Sequence, residues 1–288
     1  MDQTELHNQI LLRQLSDYLN GDATAITADD IAAVLPYCDG IEEAYALLLA
    51  AVLGLDVANE PEHHLLYQRY FPLMVHMLDP ARVKADPYYR DIRFPDCREG
   101  SVEFCMQHYL PYETFVCDDL EQLPDGRIIP HIGFFTCDFA YPAVLEDGRL
   151  WMMVTPSEIA TMSRDIQDAH GTVLAYGLGL GYFAYMAALK PQVDRAIVVD
   201  CSPQIIDIFQ RHILPQFPDP SKVEIVCEDA YIFAEHDMAA TDADYVYVDL
   251  WHDAGDGLEM YAQMKDYEHL LPNAEFRYWI EPTLKCYL

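Results

Sequence analysis

Along the first ninety or so residues, apolar positions recur at helical spacing. Leu6, Ile10, Leu11 and Leu15 repeat every three to four residues, and Thr27 followed by Ala-Asp-Asp has the form of a helix start. Ile41 to Leu53 predicts a third helix, and Pro61 opens a fourth that Pro72 is expected to kink or break. His63 and His64 are adjacent in that fourth helix, about 100° apart around its axis, and so poorly placed as joint ligands.

From about Val102 to Val154 the pattern changes to short apolar stretches divided by turn residues. Asp147-Gly148 lies between Ala143-Val-Leu-Glu and Arg149-Leu-Trp-Met-Met and predicts an antiparallel hairpin. Thr155-Pro156-Ser157-Glu158 then starts a helix running to about Ala169. Beyond Thr172 strands and helices alternate. The expected strands are Val173–Tyr176, Ala196–Asp200, Val223–Cys227, Tyr245–Asp249 and Phe276–Ile280. Between them Tyr182–Leu189, Pro203–Ile213, Ala230–Glu235 and Leu258–Leu271 suit helices. Apolar strands joined by helical crossovers imply a parallel sheet covered on both faces, a doubly wound Rossmann-like α/β fold. Its ligand site should lie beyond the carboxyl ends of the strands. The expected organisation is a helical domain over 1–100, a β-hairpin region over 101–154 and the Rossmann-like domain over 155–288.

Composition narrows the function classes. Of the 288 residues 52% are hydrophobic, enough for a core, while 48 Asp+Glu against 17 Lys+Arg give a net charge of −31. Such a surface lacks the cations that neutralise phosphates, which argues against nucleic acid and against an anionic membrane. The most apolar run, Ala44 to Val57, is interrupted by Gly54 and Asp56 and is shorter than the roughly 20 residues a span needs. Small molecules, polyamines and basic proteins stay open as partners, as does homo-oligomerisation. Eight cysteines without a CxxC pairing, in a chain with no secretory signal, read as reduced thiols of a cytoplasmic protein. Cys97, Cys105, His108 and Cys117 fit no familiar zinc spacing, and no metal is expected.

The first strand of the alternation runs into Gly177-Leu-Gly179-Leu-Gly181, whose glycines permit a tight turn and close ligand approach. A nicotinamide fingerprint would need its third glycine at position 182, which is Tyr182. Asp200 ends the second strand 23 positions after Gly177, Asp229 follows the third, and Asp249 ends the fourth. Asp residues favour strand exits in any case, which explains one such position more readily than three on one rim, and an acid at Asp200 can accept from both hydroxyls of a ribose.

With these segments the chain resembles the class I S-adenosylmethionine-dependent methyltransferase superfamily, its spermidine-synthase-like branch in particular. The similar residues are Val173 to Gly181, Val198 to Ile206, Val223 to Ala230 and Asp244 to Asp249, and the likeness spans residues 155–281. The resemblance implies that Gly177, Gly179 and Gly181 wrap the methionine end of the nucleoside and that Asp200 holds the ribose hydroxyls. It also implies Cys201 against the adenine, Asp229 and Ala230 on the adenine edge, and Asp249 at the methionine amine or the reaction centre. The family sheet continues past a fifth strand, whereas this chain stops at Leu288; either the sheet is shorter or the hairpin region supplies strands to it. The family's acidic gate after strand four is replaced by Asp249-Leu-Trp-His252-Asp253-Ala-Gly-Asp256.

Methyl transfer from a sulfonium is an in-line displacement, so alignment matters first and a base second. Asp249 and His252 are the candidate catalytic residues, with Trp251 expected to overhang the sulfonium and exclude water, and with Asp253 and Asp256 beside them. Tyr141, Trp151 and Glu158 are candidates on the substrate side. From Val223 to Met264 there are eleven acidic residues and no Lys or Arg, which tilts the substrate towards a cation. The function read from the sequence is a methyltransferase acting on a small or cationic acceptor with S-adenosylmethionine. The alternatives are an aminopropyltransferase using the decarboxylated cofactor, and a non-catalytic nucleoside-binding module.

Overall fold

The computed structural model describes residues 3–288. In chain order it begins with α1 (Gln3–Gly21), α2 (Ala28–Val34), α3 (Ile41–Val52), α4 (Pro61–Met74) and the short strand β1 (Val75–Met77). Two brief helices follow, α5 (Pro80–Lys84) and α6 (Pro87–Asp91). The strands β2 (Cys97–Glu99), β3 (Val102–Tyr109), β4 (Phe115–Gln122), β5 (Ile128–Phe134), β6 (Phe139–Glu146) and β7 (Arg149–Met153) come next. The alternating part comprises α7 (Pro156–Asp168), β8 (Gly171–Tyr176), α8 (Tyr182–Ala188), β9 (Val193–Asp200), α9 (Pro203–Ile208), β10 (Val223–Cys227), α10 (Ala230–His236), β11 (Tyr245–Val248), α11 (Ala254–Lys265), β12 (Glu275–Tyr278) and α12 (Glu281–Lys285).

The chain forms two compact units, and both are discontinuous: residues up to Ala81 with His108–Ala140, and Arg82–Gln107 with Tyr141–Leu288. This partition cuts across the three consecutive segments expected from the sequence.

In the first unit α1 to α4 enclose a three-stranded sheet of order β1-β5-β4, so the helical segment also carries a strand. The apolar stripe expected on α1 is turned. Leu11, Leu15 and Tyr18 are buried, while Leu6 and Ile10 stay 40% and 39% exposed. The cause is Asn8, whose side-chain amide donates to the Gly126 carbonyl at 2.9 Å and accepts from Tyr70 Oη at 2.9 Å and from the Ile128 amide at 3.1 Å. A buried amide satisfied three ways fixes the helix face more firmly than Leu6 and Ile10 at its edge. Thr27 and Asp30 close a reciprocal capping box on α2. Pro72 falls in the last turn of α4, which ends two residues later and passes directly into β1. His63 accepts from the Asp56 amide at 3.0 Å, a structural role.

The second unit holds two sheets. Strands β2-β3-β6-β7 form one, in which β6 and β7 pair antiparallel around Asp147 and Gly148. Both turn residues have positive φ, 50° and 75°, as a two-residue hairpin of this twist requires. The other is the expected parallel sheet, of order β10-β9-β8-β11-β12. Among the described residues it has five strands, and the hairpin adds none. The first strand lies at the centre and the order reverses between β8 and β11, which is the switch point where such sheets open a crevice. Its strands are buried on both faces: Val173, Leu174, Tyr176, Val198, Val199 and Tyr245 to Val248 are all at most 1% exposed. The helix expected over Pro203–Ile213 runs as α9 and then widens into a π turn over Phe209–Ile213. The last long helix begins at Ala254, earlier than expected, because Asp253 and Asp256 form a capping box there. No helix among the described residues is long and apolar enough to cross a membrane.

Gly171 enters the first strand of this sheet at φ +60°, and a Cβ there would lie 2.1 Å from Asp244 Oδ2, the atom that accepts from the Thr172 amide at 2.8 Å. Gly171→Ala should therefore lower unfolding free energy by about 2 kcal/mol or more. The shift of the urea midpoint measures it; an unchanged midpoint would mean that the Asp244 contact does not fix this strand start.

Candidate functional site

The loop after β8 uses its three glycines for three different reasons. Gly177 has φ +95°, and a Cβ on it would meet the Asp249 carbonyl oxygen at 2.0 Å. Gly181 has φ +79° at the start of α8, where a Cβ would strike the Phe209 ring at 2.2 Å. The π turn is what carries Phe209 against it. Gly179, at φ +52°, has only Met152 Sδ near its missing Cβ, at 3.9 Å, so its backbone is open to approach. One glycine thus permits strand contact, one helix packing and one access.

Asp200 sits at the carboxyl end of β9 and holds the loop. Its Oδ2 accepts from the Leu178 amide at 2.9 Å and its Oδ1 from the Ser202 amide at 2.8 Å. Burial raises its carboxyl above the ordinary range, against the pull of those two amides. Each oxygen keeps an unused lone pair. Cys201 is exposed beside it, its thiol pushed up by burial and then by the charge of Asp200. Asp229 caps α10, its Oδ1 accepting from the Tyr231 and Ile232 amides at 3.0 and 3.1 Å. The capping role and a rim position coexist there, since Oδ2 is not used by the cap. Ala230 is the first residue of α10, half-buried.

Asp249 lies where β8 and β11 diverge, and its amide donates to the Tyr176 carbonyl at 2.9 Å. The residue is half-buried, and burial pushes its carboxyl up to about 7. Glu158, in the first turn of α7, is its neighbour. Burial raises that carboxyl well above the usual range, and the charge of Asp249 adds to the effect. The Tyr247 hydroxyl, buried and without a hydrogen-bond partner, feels both carboxylates. Among the described residues no cation pairs with either acid. Burial disfavours the charged form of both acids, and the Asp249 charge disfavours that of Glu158 further.

His252 makes its contacts with Asp256 and Trp151. Its Nδ1 hydrogen-bonds Asp256 Oδ2 at 3.1 Å, and its ring stands edge-on to Trp151 with centroids 4.1 Å apart. Burial works against the Asp256 carboxylate, but hydrogen bonds from the His252 side chain and the Asp253 and His252 amides outweigh it and hold it below the ordinary range. Asp253 caps α11 through the Gly255 amide. The expectation for Trp251 is corrected. It is 4% exposed, with Cδ1 2.9 Å from where a Gly257 Cβ would be, and so belongs to the core beneath α11. The exposed tryptophan is Trp151, at 42%, on β7 of the hairpin whose Met152 lies above Gly179. Tyr141 is buried in β6. Glu158 is the residue the sequence underweights, because an acid in a first helical turn reads as an ordinary end charge.

The segment 86–91 braces the loop, which the sequence did not indicate. The Tyr88 hydroxyl donates to the Leu180 carbonyl at 2.6 Å, Tyr182 Oη to Asp86 at 3.0 Å and Tyr185 Oη to Asp91 at 3.0 Å.

No protein-family profile matches the chain, and no curated protein matches it. Among solved structures, spermidine synthase from Thermotoga maritima is similar at 17% identity and TM-score 0.31, over 45% of this chain and 46% of its own. A spermidine synthase in complex with the transition state analogue AdoDATO matches at 14% identity and TM-score 0.29, over 47% and 56%. MNMC2 from Aquifex aeolicus matches at 13% identity and TM-score 0.26, over 52% and 56%. The chain spans about half the length of each. At these scores the likeness carries no argument, and the fold rests on the strand order of the chain itself.

The pair Asp249 and Glu158 has a stability signature. Asp249 titrates near 7 when folded and near 4 when unfolded, so between those values the folded state binds the extra proton. Stability should therefore fall as pH rises from about 4 to 7 and then level off. Asp249→Asn should make this slope shallower, leaving the part due to Glu158, and should be more stable than the wild type at pH 8 by about 2–4 kcal/mol, with the difference shrinking towards pH 4. Urea unfolding at pH 4.5 and pH 8, in roughly matched buffers, checks it; equal gains at both pH values would mean the carboxyl is not buried as described.

Proposed function

We propose that this protein transfers a carbon group from a sulfonium nucleoside of the S-adenosylmethionine type to a small amine, as a methyltransferase. The observation that carries the reading is the switch-point cradle. There Gly177 presses on the Asp249 backbone while the Asp200 carboxylate is seated on the loop amide of Leu178. The bound nucleoside would supply an electrophilic carbon on a positively charged sulfur.

The roles of the chain follow from position. The lone pairs left on Asp200 suit two ribose hydroxyls, with Gly179 open to the ligand beneath Met152. Cys201 suits one face of an adenine, and Asp229 with the Ala230 backbone its edge. Asp249 and Glu158, with no cation of their own, suit an ammonium group. Asp249, poised near neutrality, can take the proton that must leave the ammonium before its nitrogen attacks. His252, oriented by Asp256 and walled by Trp151, is the second candidate base at the mouth.

Aminopropyl transfer is the alternative, and the same carboxyl pair favours it. Intact S-adenosylmethionine would bring its own carboxylate towards two acids, whereas the decarboxylated form would not.

Calorimetric titration with S-adenosylmethionine, its decarboxylated form, methylthioadenosine and NAD tests both. One sulfonium nucleoside should bind in the micromolar range, and Asp200→Ala should weaken it by about tenfold or more, the value of a charge-assisted hydrogen bond. NAD should not bind. Preference for the decarboxylated compound selects aminopropyl transfer. Binding of no nucleoside overturns the reading and leaves a structural role for the domain.

A further inference from the structure

We propose that the free edge of β7 binds an extended basic segment of another protein, whose backbone adds a strand to the sheet β2-β3-β6-β7 at the mouth of the crevice. β7 is the last strand of that sheet, and among the described residues it pairs with β6 alone. A strand with one side unpaired presents amide and carbonyl groups to an extended chain that meets them.

Edges are ordinarily blunted by Lys, Pro or a covering element. Arg149-Leu-Trp-Met-Met153 holds no Lys or Pro, and its one charge stands next to the turn, opposite Glu146. Leu150 and Trp151 follow it and are exposed. The register slips between the pairs Val144–Met152 and Leu145–Leu150, so Trp151 is the extra residue of a bulge. A bulge re-aims a side chain, and this indole stands edge-on to the His252 ring with centroids 4.1 Å apart. The next residue, Met152, has its Sδ 3.9 Å from the place of a Gly179 Cβ. The edge therefore runs past both the imidazole and the glycine loop. A strand laid on it carries its side chains to the mouth.

Charge fixes the kind of segment. From Val223 to Met264 there are eleven acidic residues and no Lys or Arg. Of these, Asp229, Asp253 and Asp256 are exposed at the starts of α10 and α11, the last of them bonded to His252. A second copy of the chain would bring another net charge of −31 to this rim, whereas a basic segment is drawn to it. The exposed Leu150 and Trp151 add an apolar contact, so the segment that fits alternates basic and apolar residues. On the reading given above, the acceptor amine is then a lysine of this segment. That step rests on the nucleoside site; the docking does not.

The test titrates the full chain, without nucleoside, into a short fluorescein-labelled peptide of alternating lysine and valine and reads anisotropy. The peptide should bind in the micromolar range and should slow amide hydrogen exchange over residues 149–153. The same peptide N-methylated at every backbone amide keeps its side chains and charge but cannot donate, and should bind about tenfold more weakly or worse. Leu150→Lys, at an exposed position, puts a like charge on the edge and should weaken the unmodified peptide by about tenfold. Absence of binding overturns the proposal. So does equal binding of the N-methylated peptide, or unchanged exchange over 149–153, either of which leaves attraction by the acids alone. A chain that sediments as a dimer and becomes monomeric with Leu150→Lys also overturns it, placing a second copy on the edge. Calorimetric titration of Leu150→Lys with the sulfonium nucleosides should match the wild type, and a failure of nucleoside binding in both bears on the other site alone.

Discussion

The approach of two strand exits governs the candidate site. β8 and β11 leave the parallel sheet side by side, tied by the Asp249 amide to the Tyr176 carbonyl, and the Asp249 carbonyl occupies the place of a Gly177 Cβ. A side chain at 177 would push the exits apart at the point where the sheet's connections diverge. The positive φ of Gly177 follows from this approach. It then turns the loop so that the Leu178 amide meets Asp200. The same junction leaves Asp249 half-buried at the end of a strand that is buried on both faces.

Two acids on this rim therefore differ in kind. Asp200 has each oxygen on a backbone amide, so its position is set and its proton affinity is moderated. Asp249 has neither, and shares its surroundings with Glu158 and an unpartnered tyrosine hydroxyl. A fold gains nothing by burying such a group; removing the charge would stabilise it. The strain is tolerated because the flanking packing is dense, with Phe183 stacked on Tyr247 at 3.9 Å and Phe233 edge-on to Tyr176. Uncompensated polarity held in place by a rigid aromatic frame is the usual mark of a site selected for chemistry rather than stability.

The alternating half of the chain was legible in its residues for a simple reason. Most of its strands carry a short apolar run stopped by an acid or a glycine, and Val223–Cys227 was located to the residue, whereas the last strand, expected over Phe276–Ile280, runs over Glu275–Tyr278 because Ile280 turns to a positive φ. The glycine loop and the acids Asp200 and Asp249 were legible on the same grounds. What escaped were elements without periodicity. β1 is three residues long and follows a helix without a break, and α6 is five residues long and works through tyrosine hydroxyls to residues more than ninety positions away. Long-range polar contacts leave no local signal. The face of α1 was misjudged because leucine spacing was visible while the three partners of Asn8 were not. Trp251 and Trp151 are alike in sequence terms; only burial separates the packed indole from the exposed one.

The partners of His252 and Asp249 differ, and so does the access of each group to solvent protons. The imidazole is oriented by Asp256, a residue of the capping box that starts α11, so its position depends on a helix end. The carboxyl pair depends on the strand junction and on the first turn of α7. With its Nδ1 turned to Asp256, His252 leaves Nε2 free beside the exposed Trp151 ring, where solvent exchanges protons readily. Asp249 and Glu158 hold theirs where exchange is hindered. On the proposed function, an ammonium seated beside the two carboxyls would favour their ionised forms. On the proposed function, the exposed imidazole would be suited to passing a proton to solvent.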